Sequence, residues 1–302
     1  PALNIKDKLV EFRRDFHMHP EASFCEERTN AGIRKFLEDN GIEIQEVGAG
    51  YSVVGVIRGG KPGKTFALRA DIDALPMPEL NDVPYKSQNE GVMHACGHDA
   101  HTASLMGVAL LINEVKDQMS GNVKLLFQAA EEKIPGGAKE LVEKGALDNP
   151  YVDAVMGFHV ANALPVGYVA FGAGPGAAAS DTYKFRIIGK GGHGAYPNLA
   201  VNPINTAAHI YNAFNSIVSL EVDPQKTGML SIGRFSGGES GNVIPENVVI
   251  EGSFRTDDAD TRKLLKKRIS ESATGIADAF GCSAEVHWLC GAPALVCDKT
   301  FT

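Results

Sequence analysis

Residues 122–132 read NVKLLFQAAEE, a nearly unbroken apolar run that ends in two adjacent carboxylates. Apolar side chains at both odd and even positions of a short run predict a strand buried on both faces, as in a sheet covered by helices on each side. The same pattern recurs around it. Upstream, KTFALRADIDALP (64–76) is a short buried strand that ends near Asp71 and breaks at Pro76, and YSVVGVIRG (51–59) is rich in β-branched residues and runs into Gly59-Gly60. Downstream, DAVMGFHV (153–160) is a further apolar strand. Helical spacing appears at 4–19, 25–40, 98–116 and 137–147, and the second of these stops at the C-cap signal Asn40-Gly41. Strands alternating with helices predict an α/β fold, a mostly parallel sheet with helices on both faces.

The texture changes at GAGPGAAASD (172–181), a Gly/Ala-rich break that suits a hinge. Beyond it come a strand (182–189), a helix from Pro203 to about Leu220, strands at 228–235 and 247–256, a helix at about 258–280 and a strand at 283–289. That order, β-α-β-β-α-β, is ferredoxin-like. The expected organisation is therefore a first domain over 1–180, an inserted ferredoxin-like α+β domain over 181–292, and a return to the first domain over 293–302.

Composition narrows the function classes. The 302 residues carry 29 Lys+Arg against 37 Asp+Glu, a net charge of −8, which gives no footing for nonspecific nucleic-acid binding. No apolar run approaches the roughly 20 residues of a membrane span, and PALNIKDKLVEFRRDF (1–16) does not resemble a signal peptide. The five cysteines, at 25, 96, 282, 290 and 297, are odd in number and irregular in spacing. They do not form a disulfide framework and point to a reducing, cytoplasmic setting.

The polar residues worth following lie just past the strand ends. Asp71 and Asp73 follow TFALRA, Glu131 and Glu132 follow VKLLFQAA, and His159 closes AVMGF. Ligands of open α/β sheets bind outside the carboxyl ends of the strands. GVMHACGHDAHTASL (91–105) adds three histidines around Cys96, with Cys96 and His98 at the entry to a helix. Thiolate, imidazole and carboxylate together suit a first-row divalent ion such as zinc, manganese or cobalt. Asp99 and the neighbouring histidines suit a role in fixing ligand tautomers. In the pair Glu131-Glu132, one carboxylate can ligate an ion while its neighbour accepts a proton from water. Each feature also has a plainer reading: a solvated loop charge, an acidic start to the next helix, or, for His94 and His101, helix-end residues without a ligand role.

Taken in order and spacing, ADIDALP, HACGHDAH, FQAAEE and GFHV resemble the M20 metallopeptidase family, and within it the amidohydrolase branch. RRDFHMHPEASFCEERT, GKGGHGAYPN and GGESGNVIPENVVIEGSFRT are similar to that branch too. The resemblance implies an α/β catalytic domain with a two-metal site, the ions being zinc, manganese, cobalt or nickel. It also implies an inserted domain through which two copies dimerise, and hydrolysis of N-acyl amino acids or small peptides. Carried over by residue, it implies Cys96, His98, Glu132 and His159 as metal ligands and Glu131 as general base. His193 would steady the oxyanion in the partner's site, Asn242 and Arg255 would hold the substrate carboxylate, and Asp73 would orient a ligand. The role of Asp71 stays open.

This sequence departs from the family in reading FQAAEE where FQPAEE is usual, and no histidine follows His287. The family's return to the catalytic domain, with a final ligand histidine, is accordingly expected to be missing. Two other readings stand beside the amidohydrolase. One is a Cys96 nucleophile with a histidine base. The other is a shortened, inactive relative that binds ligands or dimerises.

Overall fold

The structure, a computed structural model, describes residues 2–301. It divides into two compact units, Pro1–Val166 and Gly167–Thr302.

The first unit contains α1 (Lys6–Met18), α2 (Glu27–Asp39), β1 (Glu43–Ile44), β2 (Val53–Arg58), β3 (Lys61–Asp71), α3 (His98–Val115), β4 (Ser120–Gln128), α4 (Gly137–Glu143) and β5 (Ala154–Gly157). Its five strands form one sheet in the order β1-β2-β4-β3-β5. β3 runs parallel to both β4 and β5, β2 is antiparallel to β4, and β1 is antiparallel to β2. Four of the five strands therefore share one direction, and β2 alone opposes them. The sequence of β4 explains the layering. Leu125 and Phe127 face a core built with Phe16, Ile33, Leu37, Leu105 and Met106, whereas Leu126 faces a second core with Val54, Ala67, Leu141 and Val152. Alternate side chains of one strand thus serve opposite layers, which is why the run reads as continuously apolar. β2 and β3 are joined through Gly59-Gly60 but are not neighbours, because β4 lies between them. At Gly59 a Cβ would come within 2.2 Å of the Gly121 carbonyl oxygen, so only glycine lets the link pass that close.

The second unit contains β6 (Gly174–Ala177), β7 (Ala179–Ile188), β8 (Gly192–His193), α5 (Pro203–Glu221), β9 (Gly228–Ser236), β10 (Val243–Ile244), β11 (Asn247–Thr256), α6 (Ala259–Ala279), β12 (Ser283–Ala292) and β13 (Leu295–Cys297). β12-β7-β11-β9 form an antiparallel four-stranded sheet, the ferredoxin-like arrangement expected from the element order. Tyr183, Phe185 and Ile187 alternate inward from β7 onto Ile210 and Phe214 of α5 and Leu265 and Ile269 of α6. Asn202 caps α5 through the Ile204 N–H, and Asp258 caps α6 through the Asp260 and Thr261 N–H groups. The units divide at Val166/Gly167, whereas the change of texture places a domain boundary at 180. β6 pairs with β13, which keeps both 174–177 and 295–297 in the second unit. No helix among the described residues is long and apolar enough to cross a membrane.

Candidate metal centre

The carboxyl ends of β3, β4 and β5 open at one edge of the first sheet, and the chemistry collects there as the strand ends predict. β3 delivers Asp71 and, just beyond it, Asp73. β4 leads into Glu131 and Glu132, and β5 leads into His159. The N-terminus of α3 supplies Cys96 and His98. Gly97 caps that helix in the left-handed region with φ 85°, and a Cβ there would lie 2.5 Å from the Val160 side chain. A glycine is therefore required between Cys96 and His98 for His159 to reach them.

Three groups of donor atoms converge, each with its atoms within 4.8 Å of one another: Cys96, His98 and His159; His98, Glu131 and Glu132; and Asp71, His98 and His101. The Cys96 Sγ lies 3.2 Å from His159 Nε2, and His98 Nε2 lies 3.8 Å from Glu132 Oε1. Both imidazoles are oriented from behind. His98 donates from Nδ1 to the Asp73 backbone carbonyl at 2.9 Å and to Asp73 Oδ1 at 3.2 Å, and His159 donates from Nδ1 to the Val160 carbonyl at 2.7 Å. Each ring consequently turns its Nε2 toward the centre. Asp73 is fully buried. Its other oxygen accepts from Ser23 Oγ at 2.7 Å and from the Glu132 N–H at 2.9 Å, so one carboxylate fixes both His98 and the backbone of Glu132.

Two buried atoms at the heart of this arrangement have no hydrogen-bond partner: His98 Nε2 and Glu132 Oε1. Leaving a buried acceptor unpaired costs about 1–3 kcal/mol. Two such atoms facing one another beside a thiol and the Nε2 of a second imidazole make a donor set that fits a divalent ion.

Asp71 and His101 form a buttress behind this layer. Both are buried. His101 donates from Nδ1 to Asp71 Oδ1 at 2.6 Å and accepts the Val160 N–H on Nε2 at 3.0 Å. With both nitrogens engaged, His101 has no lone pair to offer an ion and instead ties α3 to the segment carrying His159. Burial pushes the Asp71 carboxyl up, but His101, Arg69 and His98 outweigh it and hold it at about 2. Burial, followed by the Glu132, Glu131 and Asp71 carboxylates, pushes the Cys96 thiol up to about 12. Desolvation and then the Glu132 carboxylate raise Glu131 above the ordinary carboxylate range. His94 is buried with both nitrogens unpartnered and is pushed down to about 4 by burial, so it is a neutral ring set behind the centre.

Another buried network lies on the far side of Asp99, and the sequence reading did not single it out. His17 sits between two carboxylates, with Nδ1 2.8 Å from Asp99 Oδ2 and Nε2 3.1 Å from Glu79 Oε1. Arg13 Nε approaches Asp99 Oδ2 at 2.7 Å. Only an imidazolium can donate to both carboxylates. The Asp99 hydrogen bond, working against burial and joined by Glu79, raises the His17 pKa above 6.5. A raised folded-state pKa contributes stability that is fully present below pH 6.5 and is lost as pH rises through the folded value. Denaturant midpoints taken from pH 6 to pH 9 should therefore fall on the alkaline side. His17→Gln should abolish that part of the slope and lower stability at pH 6 by roughly 3 kcal/mol, the cost of removing one partner from a buried charge network. An unchanged slope in H17Q would remove His17 as its source.

His193, Asn242 and Arg255 all lie in the second unit. His193 pairs with Val243 across β8 and β10, and the adjacent Gly194 N–H donates to the Asn242 carbonyl at 2.8 Å. His193 and Asn242 are thus brought together at one exposed loop pair. Arg255 lies on β11 opposite Ser180 and Met229 and donates to the Phe254 carbonyl at 3.1 Å.

The sequence profile of Peptidase family M20/M25/M40 matches residues 67–302. The chain belongs to this family. It is 42% identical over 298 residues to the N-acetyl-L-cysteine deacetylase of Bacillus subtilis strain 168, covering 99% of this chain and 71% of that protein. It is 40% identical to the N-acyl-L-amino acid amidohydrolase of Geobacillus stearothermophilus, covering 94% of this chain and 76% of that one. A solved M20-family structure from Bacillus subtilis, described as a dinuclear metal binding peptidase, superposes with a TM-score of 0.83 at 37% identity over 98% of this chain and 76% of its own. As a member of this family the chain is a hydrolase.

Proposed function

We propose that this hydrolase is a metal-dependent amidohydrolase that cleaves N-acyl amino acids or small peptides at the amide bond. The observation that carries the reading is the pair of buried, unpartnered acceptors, His98 Nε2 and Glu132 Oε1, 3.8 Å apart and flanked by Cys96 and His159. Cys96, His98, Glu132 and His159 would hold two divalent ions, of zinc, manganese, cobalt or nickel. Such ions, when bound, supply Lewis acidity toward the acyl carbonyl and acidify water. The rest is chemistry of the chain itself. Glu131 accepts the proton of the attacking water on a carboxylate oxygen as the new C–O bond forms, then returns it to the departing nitrogen as the C–N bond breaks. The products are a carboxylic acid and an amino acid. Asp73 keeps His98 and the Glu132 backbone in place throughout. His193 is proposed to donate to the developing oxyanion in the partner subunit's site, and Asn242 and the Arg255 guanidinium to hold the substrate carboxylate.

The state of Cys96 favours this reading over a thiol nucleophile. A nucleophilic cysteine needs a depressed pKa, whereas Cys96 is held at about 12 by burial and carboxylates. That same negative surrounding is what a cation would relieve. Homodimerisation through the second unit and a cytoplasmic location belong to the same proposal. The location is supported by the unpaired thiols of Cys25, Cys96, Cys282 and Cys297. A panel of N-acetyl, N-benzoyl and longer N-acyl amino acids, with dipeptides alongside, tests the substrate class. Release of free amino acid from at least one acyl family is expected, and no turnover across the panel in metal-replete buffer would overturn the assignment.

A further inference from the structure

Glu26 is a fully buried carboxyl far in sequence from the catalytic motifs, and nothing in the proposed chemistry uses it. One of its oxygens, Oε1, accepts the Ala130 N–H at 2.7 Å. Ala130 immediately precedes the Glu131-Glu132 pair and holds φ 52°, in the left-handed region that an alanine seldom adopts.

The bend has a consequence for the site. Consecutive side chains of an extended strand point to opposite faces, so a straight continuation of β4 would send Glu131 and Glu132 apart. Instead, one oxygen of each falls within 4.8 Å of the other and of His98. Residue 130 is where the strand alternation is broken. The turn is held at four points. Ser52 Oγ accepts the Ala129 N–H at 3.0 Å, Glu26 accepts the Ala130 N–H, the Ala130 carbonyl accepts the Gly137 N–H at 2.9 Å, and Asp73 accepts the Glu132 N–H at 2.9 Å. Ser52 holds the residue before the bend, the Gly137 contact closes the loop that follows, and Asp73 acts after the bend. Glu26 alone grips the N–H of the left-handed residue, and its burial leaves the carboxyl no alternative orientation in solvent.

We propose that Glu26 is a positioning residue for the catalytic carboxylate pair: by accepting the Ala130 N–H it holds the left-handed turn that brings Glu131 and Glu132 to the same centre. It touches neither substrate nor ion and acts only through the backbone of residue 130. The inference rests on the metal-dependent reading for its consequences in activity, but not for its structural content.

The test compares Glu26→Gln, which keeps a carbonyl oxygen at the same reach, with Glu26→Leu, which removes the acceptor. Glu26→Asp, shorter by one methylene, serves as the milder lesion should the leucine variant fail to fold. Three quantities are measured on the full chain: hydrogen exchange of a peptide spanning 128–133, zinc affinity by titration, and kcat and KM on the preferred acyl amino acid. E26L, and E26D to a lesser degree, should speed exchange in 128–133 at least about tenfold while leaving a peptide spanning 182–189 unchanged. Both should weaken zinc binding by about 10–100-fold, as for other groups that orient a ligand, and lower kcat with KM little moved. E26Q should stay within about twofold of the parent on all three. Parental exchange and zinc affinity in E26L or E26D would overturn the proposal, as would an E26Q as impaired as E26L. A parent chain that binds zinc but hydrolyses nothing sinks the amidohydrolase reading and leaves the exchange and zinc results to decide the role of Glu26.

Discussion

Glu131→Gln should lower kcat by about 10²–10⁴-fold, the usual contribution of a positioned general base, while metal content stays at the parental value. At about 1.4 kcal/mol per decade, that corresponds to roughly 3–5 kcal/mol of transition-state stabilisation. The two halves of the expectation come from different parts of the geometry. Glu131, though partly desolvated near its carboxyl, is the more exposed of the pair, and only Glu132 has a buried, unpartnered oxygen facing His98. The exposed member is thus free to exchange protons with water and substrate, and the half-buried one is committed to the centre. Glu132→Gln should therefore lose metal and activity together, whereas E131Q loses activity alone. Steady-state kinetics with elemental analysis on both variants separates them. An E131Q protein with parental kcat, or one depleted of metal, would reverse or abolish the division of roles between the two carboxylates.

Much of this arrangement is legible in the sequence because its signals are local. NVKLLFQAAEE announces a two-sided strand with a carboxylate pair at its end. In β7, the alternation of Tyr183, Phe185 and Ile187 with Lys184, Arg186 and Ile188 specifies one buried face without any tertiary information. What is not legible depends on partners distant in the chain. Nothing in the sequence of β2 says that β4, rather than the adjoining β3, will be its neighbour. That pairing appears only in the fold, where β2 runs antiparallel to β4 from the Val53/Phe127 pair to the Arg58/Asn122 pair and a Cβ at Gly55 would press within 3.2–3.3 Å of the Leu37 and Leu125 side chains.

The same division holds within the site. Cys96, His98, Glu132 and His159 are recognisable as residue types at strand and helix ends. The buttress of His101 requires Asp71 on one side and the Val160 N–H on the other, and these are joined only when β3, α3 and β5 pack. Asp71, open in the sequence, is placed by that contact and by the ion pair with Arg69 at 2.7 Å. His17 and Glu26 are harder still. Each is a polar residue on or beside an N-terminal helix, a position where solvent exposure is the default expectation, and only burial shows otherwise.

Cys96, His98, Glu132 and His159 would hold the divalent ions on which hydrolysis is proposed to depend. A cation shared by the two unpartnered atoms, His98 Nε2 and Glu132 Oε1, would relieve the cost of burying them. An ion at about 100 times its dissociation constant would add about 2.7 kcal/mol of stability, visible as a melting temperature that rises with metal concentration. The most direct measurement is hydrolysis of the best acyl amino acid before chelation, after exhaustive chelation, and after readdition of zinc, manganese, cobalt or nickel, with metal content determined at each stage. Activity should vanish with the metal, the melting temperature should fall with it, and at least one of the four ions should restore both. Full turnover by a chain shown to be free of metal would contradict the account.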